Sequence, residues 1–322
     1  MPMSKLLPIV EAKSLTLDEW LAYIETPECE RKFRAADFEF PTDEHLHEFL
    51  QSIQSRNEAS IKKLLRSLLI NHGTLGIDEI TRRSFWSLPY QEQNVLKEKS
   101  EFIRRLVLPS LLPWDGIFWV LDLLPNYPLK ALGVLDAYFI AHCQFLPEGR
   151  MRGLCDAETI IRRRYLDIEN PREALLSLRP NEFEYLVGAL YEKLGYEVVV
   201  TKTSRDGGVD VEARRKDPAG RALVLIQCKR YKEIVRVSAV RELMGVVSKR
   251  QANKGVLVAT CGFTTPAKQE AASTPMIELL DFSALNGLLN KYMGAKWPDC
   301  ISYEIRNMQM ASAKGTIIGD VF

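Results

Sequence analysis

Residues 224 to 231 read VLIQCKRY, an apolar run that turns polar where an amide, Gln227, and an ammonium, Lys229, stand two residues apart. In a β-strand that spacing puts both side chains on one face. Upstream, SRDGGVDVEARR supplies Asp206 and Asp210 around a Gly207-Gly208 pair, which permits a tight turn and the close approach of another backbone. The stretch DPAGRA (217–222) reads as a hairpin turn, so residues 209–213 are predicted to lie antiparallel beside 223–231, bringing Asp210 close to Gln227 and Lys229. A carboxylate, an amide oxygen and a lysine converging on one sheet edge can hold a hard divalent cation and activate a water beside it.

The elements that must carry these residues alternate in type. After a helix at 182–194, strands are predicted at 197–201, 209–213, 223–231, 255–260 and 277–280, with helices at 237–250, 265–273 and 283–292. That alternation argues for an α/β core with a mixed sheet. Beyond Trp297 the sequence reads as a last strand at 301–305 followed by a loose terminus.

The first half is different in texture. Thr16 with Glu19 makes a capping-box signature, and Asn57 is placed to cap a helix whose Ile61, Leu64, Leu65, Leu68 and Leu69 form one stripe, with Gly73 at its end. Further helices are predicted at 43–53, 89–107, 114–124, 129–145 and 157–166. Asn170-Pro171 and Arg179-Pro180 then punctuate the chain. The expected organisation is a mostly α-helical domain over 1–168, an α/β domain over 169–296 and a tail over 297–322.

Composition narrows the classes. The 322 residues, 46% hydrophobic and 26% charged, describe a globular protein with enough chain for two cores. The net charge is only +1, yet residues 201–260 hold 14 Lys/Arg against six Asp/Glu, which points that region toward a polyanion. Six cysteines without CxxC spacing and four histidines indicate neither a zinc site nor a disulfide framework, and a reducing, cytoplasmic setting is expected. The apolar region around 106–146 is broken by prolines and aspartates, so no membrane span is expected. The first residues do not read as a secretory signal, and no Walker A pattern occurs.

LRPNEFEYLVGALYEKLGYEVVVTKTSRDGGVDVEARR, then VLIQCKRY, VRELMGV, NKGVLVATCGFTTPAKQEA and IELLDFSAL, in that order, resemble the catalytic domain of Mrr-like restriction endonucleases, within the PD-(D/E)xK nuclease superfamily. The resemblance covers about residues 176–292. It implies a restriction-endonuclease-like mixed sheet flanked by helices and a metal-dependent endonuclease acting on DNA, in restriction or phage defence, with modified DNA as one target class. Asp210 then corresponds to the metal-ligating aspartate. Gln227 stands where most of the superfamily has Asp or Glu, as is common in the Mrr branch, and Lys229 is the motif lysine. Glu184 matches the glutamate of the first helix, which completes the metal shell through water, and the Cys228 carbonyl is a further ligand. Mg²⁺, for which Mn²⁺ can substitute, is the implied cofactor, since these oxygen ligands suit magnesium better than zinc. Of the basic residues, Arg230, Lys232, Arg236 and Arg241 are the expected DNA contacts. Double-strand cleavage would need a homodimer or two sequential nicks. Family members usually carry a separate recognition module, best known as a winged helix; the helical first half has no evident wing, so a targeting or regulatory role, or a defence-system partner, is inferred for it from position.

Plainer readings stand beside these. Asn181-x-x-Glu184 is itself a capping-box pattern, Asp206 can simply cap the glycine turn, and a lysine can blunt an edge strand. His45 and His47 beside Asp43 and Glu44 lack further ligands and read as a helix surface; Cys228 and Cys261 read as buried thiols. Trp114, Phe118, Trp119, Tyr127, Tyr138 and Phe139 fit core packing better than a pocket for a modified base. The alternative function from another class is a catalytically silent nuclease fold that docks DNA or a partner; keeping both Asp210 and Lys229 argues against it.

Overall fold

The computed structural model describes residues 7–108, 110–166, 168, 170–201, 208–217 and 220–319, and divides into two compact units, Met1–Leu166 and Asp167–Phe322. Asp206 and Gly207 lie outside the described residues. No helix among them is long and apolar enough to cross a membrane.

The first unit is helical: α1 (Leu17–Glu25), α2 (Asp43–Gln51), α3 (Glu58–Leu68), α4 (Asp78–Ser87), α5 (Tyr90–Lys99), α6 (Glu101–Val107), α7 (Pro128–His142) and α8 (Glu148–Tyr165). The predicted caps form: Thr16 Oγ1 accepts the Glu19 N–H at 3.3 Å while the Glu19 carboxylate accepts the Thr16 N–H at 2.8 Å, and Asn57 accepts the Ser60 N–H at 2.8 Å. The helix expected over 89–107 is two helices, because Ser100 leaves helical geometry and caps α6 through the Ile103 N–H. The stretch expected as a helix over 114–124 holds only a 3-10 turn, Phe118–Leu123. Helix α8 begins well before residue 157 and is buried continuously from Gly153 to Arg162. Gly153 permits this, since a Cβ there would stand 1.9 Å from the Phe38 carbonyl oxygen.

Trp114, Tyr138 and Phe139 are buried, as helical spacing implies, whereas Trp119 and Tyr127 are more than half exposed. Trp114 donates its indole N–H to buried Asp78 at 2.9 Å, meeting its one polar need inside the core. His45 is engaged by Thr42 Oγ1 and the Leu15 carbonyl, and no group of three His, Cys, Asp or Glu side chains fit to hold a metal occurs among the described residues.

The second unit is built on a five-stranded mixed sheet in the order β1 (Glu197–Val200), β2 (Val211–Asp217), β3 (Gly220–Lys229), β4 (Lys254–Ala259), β5 (Ile277–Leu280). The first three strands are antiparallel neighbours, and β4 and β5 continue parallel to β3. The predicted hairpin is present with Asp217 opposite Gly220 and Val211 opposite Ile226. Helices α9 (Pro171–Ser177) and α10 (Pro180–Lys193) precede the sheet. Gly188 of α10 lies against Val198 and Val200, so α10 covers the face that also bears Val211 and Ile226. Helices α11 (Val237–Lys249) and α12 (Thr265–Ala272) close the opposite face, packing Val240, Leu243 and Val247 against Leu225 and Leu257. Helix α13 (Phe282–Met293) follows β5.

The end of the chain corrects the expectation of a strand and a loose terminus. Residues 297 onward form the long helix α14 (Trp297–Gly319). ISYEI fits a period of two, but Trp297, Ile301, Ile305 and Met308 recur at helical spacing, and all are buried. The helix seats against α10, where Met308 approaches Gly188 and Lys193 pairs with Glu304 at 3.0 Å. A packed helix and a loose tail make different predictions for Ile305→Ala. Substitution in the packed helix should destabilise the protein by about 2–5 kcal/mol, read by urea denaturation, against almost nothing for a frayed terminus.

Candidate active site

The Asp210 carboxylate is fixed by backbone before any side chain acts on it. Its own N–H donates to the Ile226 carbonyl at 2.9 Å, and its carbonyl accepts the Thr201 N–H at 2.9 Å. Ile226 is already the partner of Val211, so the backbone shifts by one residue as it enters β2. The side chain then turns to β3, where Asp210 Oδ2 accepts the Cys228 N–H at 2.7 Å. That charge-assisted bond engages one carboxylate oxygen with β3.

Gln227 and Lys229 share a face of β3 with Leu225, the side on which α11 packs, and Cys228 takes the α10 side. Glu184 reaches the site from α10, half-buried, and is electrostatically coupled to Asp210 and to Cys228. Asp210 lies between the two groups, coupled also to Lys229. Among the described residues no hydrogen bond joins Asp210, Glu184, Gln227 and Lys229 to one another. The structure thus gathers Asp210, Glu184, Cys228 and Lys229, with Gln227 alongside on the strand.

Gln227 is only 4% exposed, and its Oε1 is buried with no hydrogen-bond partner. An orphaned acceptor of this kind costs about 1–3 kcal/mol, a penalty a ligand can remove. Gly208 closes over the other end of the amide. Its φ is +82°, which favours glycine, and a Cβ on it would stand 2.6 Å from Gln227 Nε2, so a larger residue would also make the amide shift.

Burial raises the Asp210 carboxyl above its usual range, opposed by the Cys228 N–H and by Lys229. Glu184 is pushed up to about 7, first by burial and then by the Asp210 charge. The Cys228 thiol is held well above its ordinary value by burial and by the two neighbouring carboxylates. Two half-buried carboxylates raised in this way are oxygen donors that suit a hard divalent cation, and the unpartnered Gln227 oxygen lies on the same strand end, on the face turned to α11. Glu212, two residues along, is a different case: Arg214 at 2.8 Å and Arg250 at 2.5 Å already neutralise it.

The capping reading of Glu184 does not hold. Helix α10 starts two residues earlier than that pattern requires, and Glu182, not Glu184, accepts the Arg179 N–H at 2.7 Å. Cys261 is buried as expected, whereas Cys228 is only partly so. Of the basic residues, Arg230 turns inward to the Leu176 carbonyl at 2.8 Å, and Arg241 pairs with Glu270 at 2.9 Å. Lys232 and Arg236 are exposed and make no ion pair among the described residues. They line a groove of about 710 Å³ that begins at Lys229 and includes Tyr231 and Ile234, two residues that sequence reasoning did not single out. Exposed apolar side chains following the QxK strand were the available signal.

A restriction endonuclease family model, Mrr_cat, matches residues 175–289. The type IV methyl-directed restriction enzyme EcoKMrr of Escherichia coli (strain K12) is 30% identical over 122 residues, 36% of this chain and 40% of that protein. The uncharacterized protein y4cE of Sinorhizobium fredii (strain NBRC 101917 / NGR234) is 25% identical over 163 residues, 45% of this chain and 42% of that one. The chain thus spans about two-fifths of the length of these relatives. Among solved structures, the DNA modification-dependent restriction endonuclease AspBHI aligns with a TM-score of 0.36 and 23% identity, covering 45% of this chain and 41% of its own.

The Glu184 carboxyl generates a prediction of sign. Its folded pKa, about 7, lies above the ordinary 4.5, so its contribution to stability is fully present below pH 4.5 and is lost as pH rises through 7. Glu184→Gln should therefore stabilise the metal-free protein at pH 8 but not at pH 4.5. The expected gain in urea denaturation is about 1–2 kcal/mol, less than the full linkage value because solvent screens a half-buried group. Equal effects at both pH values would contradict the burial argument.

Proposed function

We propose, from the premise that residues 175–289 form an Mrr-like restriction endonuclease domain of the PD-(D/E)xK superfamily, that this protein is a metal-dependent endonuclease that hydrolyses phosphodiester bonds in DNA. The observation that carries the reading is the half-buried Asp210–Glu184 pair, in which the Asp210 charge raises Glu184, with the buried, unpartnered Gln227 oxygen on the adjoining strand end as a further donor. Asp210, Gln227 and the Cys228 carbonyl would hold Mg²⁺, or Mn²⁺ in its place, with Glu184 acting through water. When bound, the cation supplies Lewis-acid polarisation of the scissile phosphate and lowers the pKa of a coordinated water.

The chain's own residues do the rest. Lys229 orients the attacking water or takes its proton, and its charge offsets the negative charge that develops on the phosphoryl oxygens. The Cys228 N–H keeps Asp210 from swinging away from β3. The missing Cβ of Gly208 leaves room for the Gln227 amide. Lys232 and Arg236 would contact phosphates, with an affinity that falls steeply with salt.

Restriction or phage defence in the cytoplasm, with modified DNA as a target class, is the role we assign. The likeness to the methyl-directed restriction enzyme EcoKMrr supports it. The helical unit over Met1–Leu166 is assigned to targeting or regulation, through DNA or a defence partner. Cleavage of both strands would proceed through a homodimer or through two nicks.

Purified protein titrated with Mg²⁺ on methylated and unmethylated plasmid tests the reading. Wild type should cleave, EDTA should stop it, and Asp210→Ala and Lys229→Ala should each lose at least about 10²–10³-fold in rate, the usual effect of removing a group that stabilises the transition state. Cleavage that survives Asp210→Ala would refute the assignment.

A further inference from the structure

The segment that leaves β3 is anchored by its backbone yet presents its side chains to solvent. The Tyr231 carbonyl accepts the Thr260 hydroxyl at 2.8 Å and the Glu233 carbonyl takes the Cys261 thiol. Val235 donates to Gly262 at 3.0 Å and accepts from Thr264 at 3.0 Å. Three alternate residues are therefore tied to the chain that follows β4. Between these ties Tyr231 is 50% and Ile234 54% exposed, with Lys232 and Arg236 exposed beside them. A fixed backbone that displays an aromatic ring and a β-branched side chain is a preformed surface rather than a frayed loop.

The surface has a charge and a size. Lys229, Arg230, Lys232 and Arg236 line the groove against Glu233 and Glu242, and Arg230 is committed to Leu176, which leaves a net basic excess. Its volume of about 710 Å³ lies within the roughly 300–1,000 Å³ of sites that take small organic ligands. Lys229 lines it, with its ammonium 5.9 Å from the Tyr231 ring centroid. Phosphate contacts alone would need only the cations. An exposed ring face and an aliphatic neighbour are what an unstacked base can use, while a base inside a duplex offers only its edge.

We propose that this groove is a subsite for an unpaired nucleotide of the strand being cut, adjacent to the scissile phosphate. Tyr231 stacks on the base, Ile234 packs beside it, and Lys232 and Arg236 hold its phosphates. The proposal rests on the nuclease reading and adds that the substrate is locally opened where it is cleaved.

Full-length protein carrying Asp210→Ala, which binds without cutting, is suited to the test. Fluorescence anisotropy with Mg²⁺ compares an intact labelled duplex with the same duplex bearing a short single-stranded gap. The gapped duplex should bind about tenfold or more tighter, in line with the stacking of one base on an aromatic side chain. Adding Tyr231→Ala should erase that preference while leaving intact-duplex affinity unchanged, and Tyr231→Phe should retain it. A 2-aminopurine in the gap should be quenched on binding by the Tyr231 and Phe proteins and not by the Ala protein. A gap preference that survives Tyr231→Ala, or equal binding of both duplexes by the Tyr231 protein, overturns the subsite and leaves the nuclease reading standing. Failure to bind any DNA would overturn both.

Discussion

Strand β3 is paired on both edges, antiparallel to β2 and parallel to β4, and its register decides where every residue of the site can be. Side chains alternate with a period of two, so a slip of one residue would exchange Gln227 and Lys229 with Cys228 and Arg230. Such a slip would also turn Leu225 away from the α11 core and bring Val224 and Ile226 into its place. With apolar residues on both faces, the ladders to β2 and β4 fix the position of the polar residues. The hydrogen bond from Cys228 to Asp210 extends that control beyond the ladder, to a carboxylate that stands outside the strand pairs proper.

The same core explains the cost concentrated at this edge. Two other carboxylates of the sheet are neutralised within the chain, Glu212 between two arginines and Glu278 by Lys254. Among the described residues Asp210 is offset by Lys229 and one backbone N–H and Glu184 by no cation, and both titrate high. Gln227 adds a buried acceptor with nothing to accept from. A sequence selected for stability alone would pair or remove these groups, so their coincidence at one strand end supports the proposed cation site. An amide in place of a third carboxylate has a consequence of its own. It contributes an oxygen without further charge, which limits the repulsion two half-buried carboxylates already experience.

Much of this was legible in the sequence, for definite reasons. The alternation of strands and helices, the hairpin at 217–220 and the caps at Thr16 and Asn57 depend on local chemistry, and local chemistry is what a sequence displays. What it hid depends on tertiary choice. ISYEI satisfies both periods, and only the presence of α10 beside it selects the helix. Two glutamates stand at the start of α10, both in plausible capping positions, and the choice of Glu182 for the cap follows from the helix beginning at Pro180. Arg230 reads as a surface cation next to Lys232, yet its position on the strand turns it toward Leu176. In each case a residue type was read correctly and its partner was not.

Gly208 shows how far one backbone position can reach. Its left-handed φ sends the chain from the turn into Asp210, and its missing Cβ leaves room for the Gln227 amide. A side chain there would meet both a backbone penalty and a clash with Nε2, and either adjustment would move a donor to the proposed metal. The glycine, the aspartate two residues on and the glutamine across the strands are therefore one unit, although they are separated in sequence and only two of them carry functional groups. Chemistry at this edge depends on the residue with no side chain as much as on those that have one, because the geometry of the oxygen donors is set by where the backbone is allowed to pass.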